Sequence, residues 1–161
     1  MNMKTKLLSI IEKNPLLSAD ELAAMLDVSV DTVNEMLEDC RRDGIILGIK
    51  TIINWDKTDR ESVSAFIELK TVPQRDKGFD AVAERVARFN EVKSVFLMSG
   101  AYDLAVLVEC RTMRDVAVFV AEQLATIEGV TATATHFIME RYKDFGVTFE
   151  NDTVDLRGNG W

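Results

Sequence analysis

One histidine, two cysteines and two prolines are all that 161 residues carry of these types. A single imidazole, His136, is too few for a His-based metal site or a proton relay, and inside a strand pattern it reads as structural. Cys40 and Cys110 lie far apart without metal-ligand spacing. Each falls on an apolar face and reads as a small buried hydrophobe. Eight glycines and two prolines exclude collagen-like and low-complexity chains. No apolar run approaches the ~18 residues of a membrane-spanning helix. Leu7-Leu8 is broken at Ser9 and followed by Glu12, so no signal-peptide core forms. Positive charge is also scarce, with 19 Lys and Arg against 27 Asp and Glu and a net charge of −8 at pH 7. That balance weakens non-specific attraction to phosphate. What is present is a 47% hydrophobic chain, the makings of a cytoplasmic globular protein of one ordinary domain or two small ones. No cofactor is expected.

Residues 1–55 read as three short helices and a hairpin. Leu7, Leu8, Ile10 and Ile11 form a helical stripe, stopped at Asn14-Pro15 because proline disfavours helix in the residue before it. Ser18 with Glu21 makes a capping box, opening a helix with Leu22, Ala23 and Leu26 on one face. Ser29 caps a third helix whose apolar set, Val33, Met36, Leu37 and Cys40, has the spacing i, i+3, i+4, i+7. Gly44 suits its C-terminus. Ile45-Ile46-Leu47 and Thr51-Ile52-Ile53 around Gly48 predict a small β-hairpin. Three helices followed by a hairpin is the order of a winged helix-turn-helix.

Residues 56–62 are polar and read as a linker. From 63 to 143 the period changes. Val63, Ala65, Ile67 and Leu69 alternate with Ser64, Phe66, Glu68 and Lys70 as in a half-buried strand, and Phe79, Val82, Ala83 and Val86 are helical. Val92 to Met98 and Leu104 to Val108 flank the turn-rich Ser99-Gly100-Ala101-Tyr102-Asp103. Val116, Phe119, Val120, Leu124 and Ile127 form another helix, and Val130 to Met139 a last strand. The order β-α-β-β-α-β predicts an α+β, ferredoxin-like domain with helices on one face of an antiparallel sheet. Its open face carries Phe66 and Phe96 and needs cover, for which a dimer is the simplest source. Residues 144–161 form a C-terminal extension, expected to fray from Asn151. Asp76, Asp80 and Glu84, at helical spacing, read as a solvated face.

With these elements in place the chain resembles the Lrp/AsnC family of feast-or-famine transcriptional regulators. The likeness rests on Leu17-Ser18, Glu21-Leu22-Ala23, Val28-Ser29, Thr32-Val33 and Asp43-Gly44-Ile45-Ile46 in the first domain. In the second it rests on Ser99-Gly100-Ala101-Tyr102-Asp103-Leu104, Glu128-Gly129-Val130 and Thr133-Ala134-Thr135. The resemblance implies a DNA-binding regulator that dimerises through its second domain, often assembles into octamers, and binds an amino acid or related metabolite between neighbouring effector domains. Carried onto this sequence, the effector residues are Gly100, Ala101, Tyr102, Asp103 and Leu104, with Thr133 and Thr135 facing them. The chemistry suits such a ligand: Asp103 can accept from an ammonium, backbone N–H groups near Gly100 can hold a carboxylate, and threonine hydroxyls add uncharged partners. The same residues are also ordinary turn and strand formers.

The third helix departs from the pattern. In the family it enters the major groove and usually presents several Arg or Lys residues, whereas here residues 30–43 hold Arg41 and Arg42 against Asp31, Glu35, Glu38, Asp39 and Asp43. Candidate DNA contacts are Ser29, Thr32 and Asn34 near the helix N-terminus, where the dipole favours phosphate, with Arg41, Arg42 and Lys50 as flanking charge. A carboxylate can accept from cytosine N4. Two functions follow: a sequence-specific DNA-binding regulator sensing an amino acid, or a sensor module that has weakened or lost DNA binding and acts through a protein partner. Enzymatic chemistry is not expected. Sirohaem decarboxylases share the architecture, but their chemistry is associated with histidines near the wing, and Ile45 to Trp55 contains none.

Overall fold

The computed structural model describes residues 2–73 and 78–149. The chain divides between Ile52 and Ile53 into two units, each with its own core.

The first unit is a three-helix assembly of α1 (Met3–Lys13), α2 (Ala19–Leu26) and α3 (Val30–Arg42). Every helix start is capped by a side chain. Asn2 accepts from the Thr5 N–H, Ser18 and Glu21 form the full capping box, and Ser29 accepts from the Thr32 N–H. Leu7, Leu22, Ala23, Leu26 and Val33 meet in the centre, so the stripes read from the sequence do converge. α3 ends in a Schellman motif. Gly44 takes φ 68, its N–H reaches the Arg41 carbonyl at 3.1 Å, and the Ile45 N–H reaches that of Cys40 at 2.8 Å.

The expected hairpin over Ile45–Ile53 is not formed, and residues 46–54 carry no strand pairing. The Ile45 and Ile46 N–H groups both turn back to the Cys40 carbonyl to close the helix, which removes them from any ladder. Gly48-Ile49-Lys50 also lacks the paired left-handed residues a tight hairpin wants.

In the second unit, β1 (Val63–Thr71), β2 (Val92–Leu97), β3 (Leu104–Cys110) and β4 (Val130–Phe137) form an antiparallel sheet in the order β2-β3-β1-β4. α4 (Asp80–Val86) and α5 (Met113–Phe119), the latter continuing as a π-helical turn to Leu124, supply the other half of the core. Ala65, Ile67 and Leu69 of β1 and Leu104, Val106 and Val108 of β3 are buried against Val82, Val86, Val116, Phe119 and Leu124. This is the ferredoxin-like arrangement the strand and helix periods predicted. Asp76 of the acidic row lies outside the described residues.

The 56–62 stretch is not a loose connection. Trp55–Lys57 is a 3₁₀ turn, the Arg60 guanidinium lies 4.3 Å from the centroid of the Trp55 ring, and Arg60 and Arg111 pair with Glu109 and Glu61 at 2.7 and 2.9 Å. After β4 the chain makes a further hairpin, β5 (Lys143–Asp144) with β6 (Val147–Thr148), turning at Phe145 (φ 44) and Gly146 (φ 82). Phe149 is buried behind it. The tail expected to fray from Asn151 lies outside the described residues.

Candidate functional site

Two surfaces collect the residues singled out above, one in each unit. In the first unit the outer side of α3 presents Asp31, Thr32, Asn34, Glu35, Glu38, Arg41 and Arg42, all exposed, while Val33 and Cys40 point to the core. The candidate DNA contacts differ in how free they are. Ser29 Oγ lies 2.8 Å from Thr32 Oγ1 and accepts from its N–H at 3.2 Å, so both hydroxyls serve the helix cap. Arg41 is paired with Glu38 one turn back. Arg42 meets Asp39 at 2.7 Å and Asp43 at 3.5 Å. Lys4, from α1, reaches Asp43 at 3.4 Å. The basic charge at the end of α3 is therefore held by carboxylates of that helix and its cap. Lys50 is exposed on the segment that follows.

In the second unit, register decides which side chains share a face. Opposed residues of antiparallel strands point the same way. Phe66 opposes His136, Glu68 opposes Ala134 and Lys70 opposes Ala132 on the open face. Phe96 of β2 is on the same face, opposite Ala105, and is 55% exposed. Tyr102 sits edge-on to Phe66 with ring centroids 6.3 Å apart. His136 Nε2 lies 3.4 Å from Glu68 Oε1 and its ring 6.5 Å from that of Phe66. The lone histidine is thus a surface partner of a carboxylate. Cys40 is buried and Cys110 half-buried. Burial pushes the Cys110 thiol up, and the Glu91 and Asp115 carboxylates push it the same way.

Ala101, Tyr102 and Thr133 come together in an open depression of about 150 Å³, completed by Glu68, Lys70, Ala132 and Ala134. Gly100 and Asp103 flank it in the β2–β3 turn. Asp103 is engaged as a clamp: its N–H donates to the Leu69 carbonyl at 3.0 Å, its carbonyl accepts from Met98 N–H at 2.8 Å, and its carboxylate accepts from Thr71 N–H at 2.7 Å. Leu104 is fully buried in the core. Thr133 and Thr135 oppose Leu69 and Ile67, so their side chains take the helix-side face, away from Phe66 and Glu68. Glu68 and Lys70 were missed by sequence reasoning. Their signal was the polar half of the β1 alternation, which identifies a face without saying what lies across from it. A separate cleft of about 180 Å³ at the other end of β1, between Trp55, Ser64, Ile138 and Phe149, contains none of the sequence-predicted residues.

Both units match family models: residues 64–148 the Lrp/AsnC ligand binding domain, and residues 3–46 the winged helix-turn-helix DNA-binding domain. An HTH-type transcriptional regulator of Bacillus subtilis, YugG, is 40% identical over 155 residues, covering 96% of this chain and 93% of its own. The chain belongs to the Lrp/AsnC family. As an Lrp/AsnC protein it is a DNA-binding transcriptional regulator with a ligand-binding domain. The regulator match over 96% of the chain and the DNA-binding domain model favour that function over a module that has given up DNA. The fold agrees with solved relatives. The leucine response regulatory protein of Mycobacterium tuberculosis superposes with a TM-score of 0.77 at 19% identity, covering 90% of this chain and 96% of that one. A regulator from Neisseria meningitidis, solved as a complex with L-Met, superposes with a TM-score of 0.72 at 20% identity, covering 93% and 96%. Among the described residues no helix is long and apolar enough to cross a membrane.

Proposed function

We propose that the ligand of this Lrp/AsnC regulator is a free amino acid, taken up at the depression beside Tyr102 and sensed by the oligomer in the cytoplasm. The observation that carries the reading is the pair Glu68 and Lys70, two residues apart on one face of β1 and both lining that depression. A zwitterion needs one anionic and one cationic partner at short range. Glu68 would take the ammonium and Lys70 the carboxylate, with Tyr102 walling the side chain and the Ala101 and Thr133 backbones bordering it. In this reading Asp103 positions the turn and the ligand meets Glu68.

A depression this shallow cannot enclose an amino acid by itself. The reading therefore includes a homodimer whose second copy covers the open face at Phe66 and Phe96, with octamers as a further assembly. Ligand bound at such a junction shifts assembly by its differential affinity, typically ~1–3 kcal/mol of coupling, and so sets how many recognition helices engage DNA together. The relative solved with L-Met and the one named for its leucine response support an amino-acid ligand.

Isothermal titration of the twenty amino acids into full-length wild type, Lys70→Ala and Glu68→Gln tests this, with sedimentation velocity for assembly. Binding by wild type that weakens at least tenfold in both variants is expected. Undiminished binding in both variants would sink the placement of the site, and no binding of any amino acid would sink the ligand class.

A further inference from the structure

The carboxylate of Glu35 stands out because nothing in the helix explains it. It is exposed at the middle of the outer stripe of α3, which runs Asp31, Asn34, Glu35, Glu38, Arg41 and Arg42. The other charges on and beside the stripe beyond it are satisfied: Glu38 by Arg41, and Asp39 by Arg42. Among the described residues, the side chains of Asp31, Asn34 and Glu35 have no hydrogen-bond or ion-pair partner, and their backbone groups serve the helix. The residues at i−4 and i+4 from Glu35 are Asp31 and Asp39, like charges that weaken an isolated helix at this spacing. A local cost with no local compensation marks a position set by something outside the helix.

In a helix-turn-helix the second helix of the motif lies in the major groove, with the residues of its N-terminal half at the base edges. Glu35 is the sixth residue of α3, while the paired arginines lie at the far end. A carboxylate at the wall would only repel phosphate. One at the floor meets base edges, where exocyclic amines are the donors, and its established match is cytosine N4.

We propose that Glu35 is a specificity-determining residue that accepts a hydrogen bond from cytosine N4, so that each operator half-site carries one C·G pair read by this side chain. The inference rests on the DNA-binding activity of the family and is independent of the amino-acid proposal. It converts the acidic helix from a handicap into a filter. Carboxylates lower affinity for DNA in general and restore it only where an amine donor sits opposite.

The experiment is selection from a randomised duplex library by full-length wild type, Glu35→Gln and Glu35→Ala, followed by anisotropy titrations on the selected site, its single-pair variants and a scrambled duplex. Glu35 is exposed, and circular dichroism verifies that the variants stay folded. Replacing the selected C·G pair is expected to cost wild type roughly 5- to 150-fold in affinity. Glu35→Ala should lose that discrimination while binding scrambled DNA at least as tightly as wild type. Glu35→Gln should move the preference at the same position toward adenine, which glutamine reads bidentately. If Glu35 were only a solvated charge, removing it would raise affinity for every duplex equally and leave the preferences alone, which would overturn the inference. Wild type that binds DNA without selecting such a pair, or variants that keep its preference, would overturn the inference and leave DNA binding standing. Failure of wild type to bind any duplex would overturn both.

Discussion

The ion pairs at the end of α3 give a quantitative handle on how this helix meets DNA. Arg41 and Arg42 are the basic residues on it, and they are held by Glu38, Asp39 and, at longer range, Asp43. Replacing Glu38 by Gln and Asp39 by Asn keeps the side-chain sizes and releases both guanidinium groups, leaving Arg42 only its 3.5 Å approach to Asp43. Each phosphate neutralised adds about 0.9 to the slope of log affinity against log salt. Two new contacts therefore steepen the slope by about 1.8 per engaged helix. Between 50 and 200 mM salt, a fourfold change, the double variant should lose roughly twelvefold more affinity than wild type does. A dimer docking both helices doubles the slope difference.

The helix itself should tolerate the change. Exposed pairs three residues apart contribute roughly 0.2–0.5 kcal/mol each, and Asp39→Asn also removes a like charge four residues from Glu35. Anisotropy titrations across a salt series read the slope directly, and thermal melts check the fold. If affinity rises in the variant while the slope stays at the wild-type value, the carboxylates act only as a diffuse repulsive field. The reasoning that they withhold specific phosphate contacts would then be refuted.

Other consequences are more local. Asp103→Ala leaves the Thr71 N–H without its carboxylate acceptor at 2.7 Å and should cost about 1.5–3 kcal/mol in urea unfolding, so it reports on stability before it reports on ligand binding. Thr71 is buried and its hydroxyl has no hydrogen-bond partner among the described residues. Thr71→Val should therefore gain about 1 kcal/mol in the same assay, and a loss would mean that the hydroxyl has a partner after all. Ser18→Ala breaks the capping box and should lower the stability of the first unit by about 1 kcal/mol. The Ser18 hydrogen bonds hold the Glu21 carboxyl below the usual carboxylate range. Their contribution is thus present above the unfolded value, about 4.3, and fades as pH falls through the lower folded one. The variant's stability should be less sensitive to pH across that acid window than wild type's, and thermal melts at stepped acid pH would show it. Leu7→Ala, at the fully buried centre of the first unit, should cost roughly 2–5 kcal/mol by chemical denaturation.

The parts of the molecule legible in the sequence are those whose cause is local. Ser18 with Glu21, Ser29 before Val33, and Gly44 after Arg42 state the second and third helices through capping chemistry, and each is found where the spacing put it. The alternation over Val63–Leu69 gave both the strand and its buried side. What could not be read depends on what comes to lie opposite. Thr133 and Thr135 alternate as a strand should, but only the pairing with Leu69 and Ile67 turns them toward the helices. Asp103 has the composition of a ligand acceptor, and only the approach of Thr71 makes it a clamp. The β5–β6 hairpin was missed because Asp144-Phe145-Gly146-Val147 is not an Asn-Gly turn, and a bulky residue at φ 44 is not what a turn rule anticipates.

The same distinction accounts for the two apolar surfaces the chain leaves uncovered. Ile45, Leu47 and Ile49 alternate like a strand and are 49%, 92% and 69% exposed, and Phe66 and Phe96 lie on the open side of the sheet. In each case the sequence pattern is that of a buried element, yet Leu47, Ile49 and Phe96 each keep more than half of their surface exposed. Contiguous apolar surface of this kind is characteristic of interfaces. If a second copy supplies the missing contacts, Phe96→Glu should produce a folded, smaller species in sedimentation velocity, because a charge on that face costs little in an isolated chain and much at a packed junction. Wild type and Phe96→Glu sedimenting alike would mean that the open face is not where copies meet.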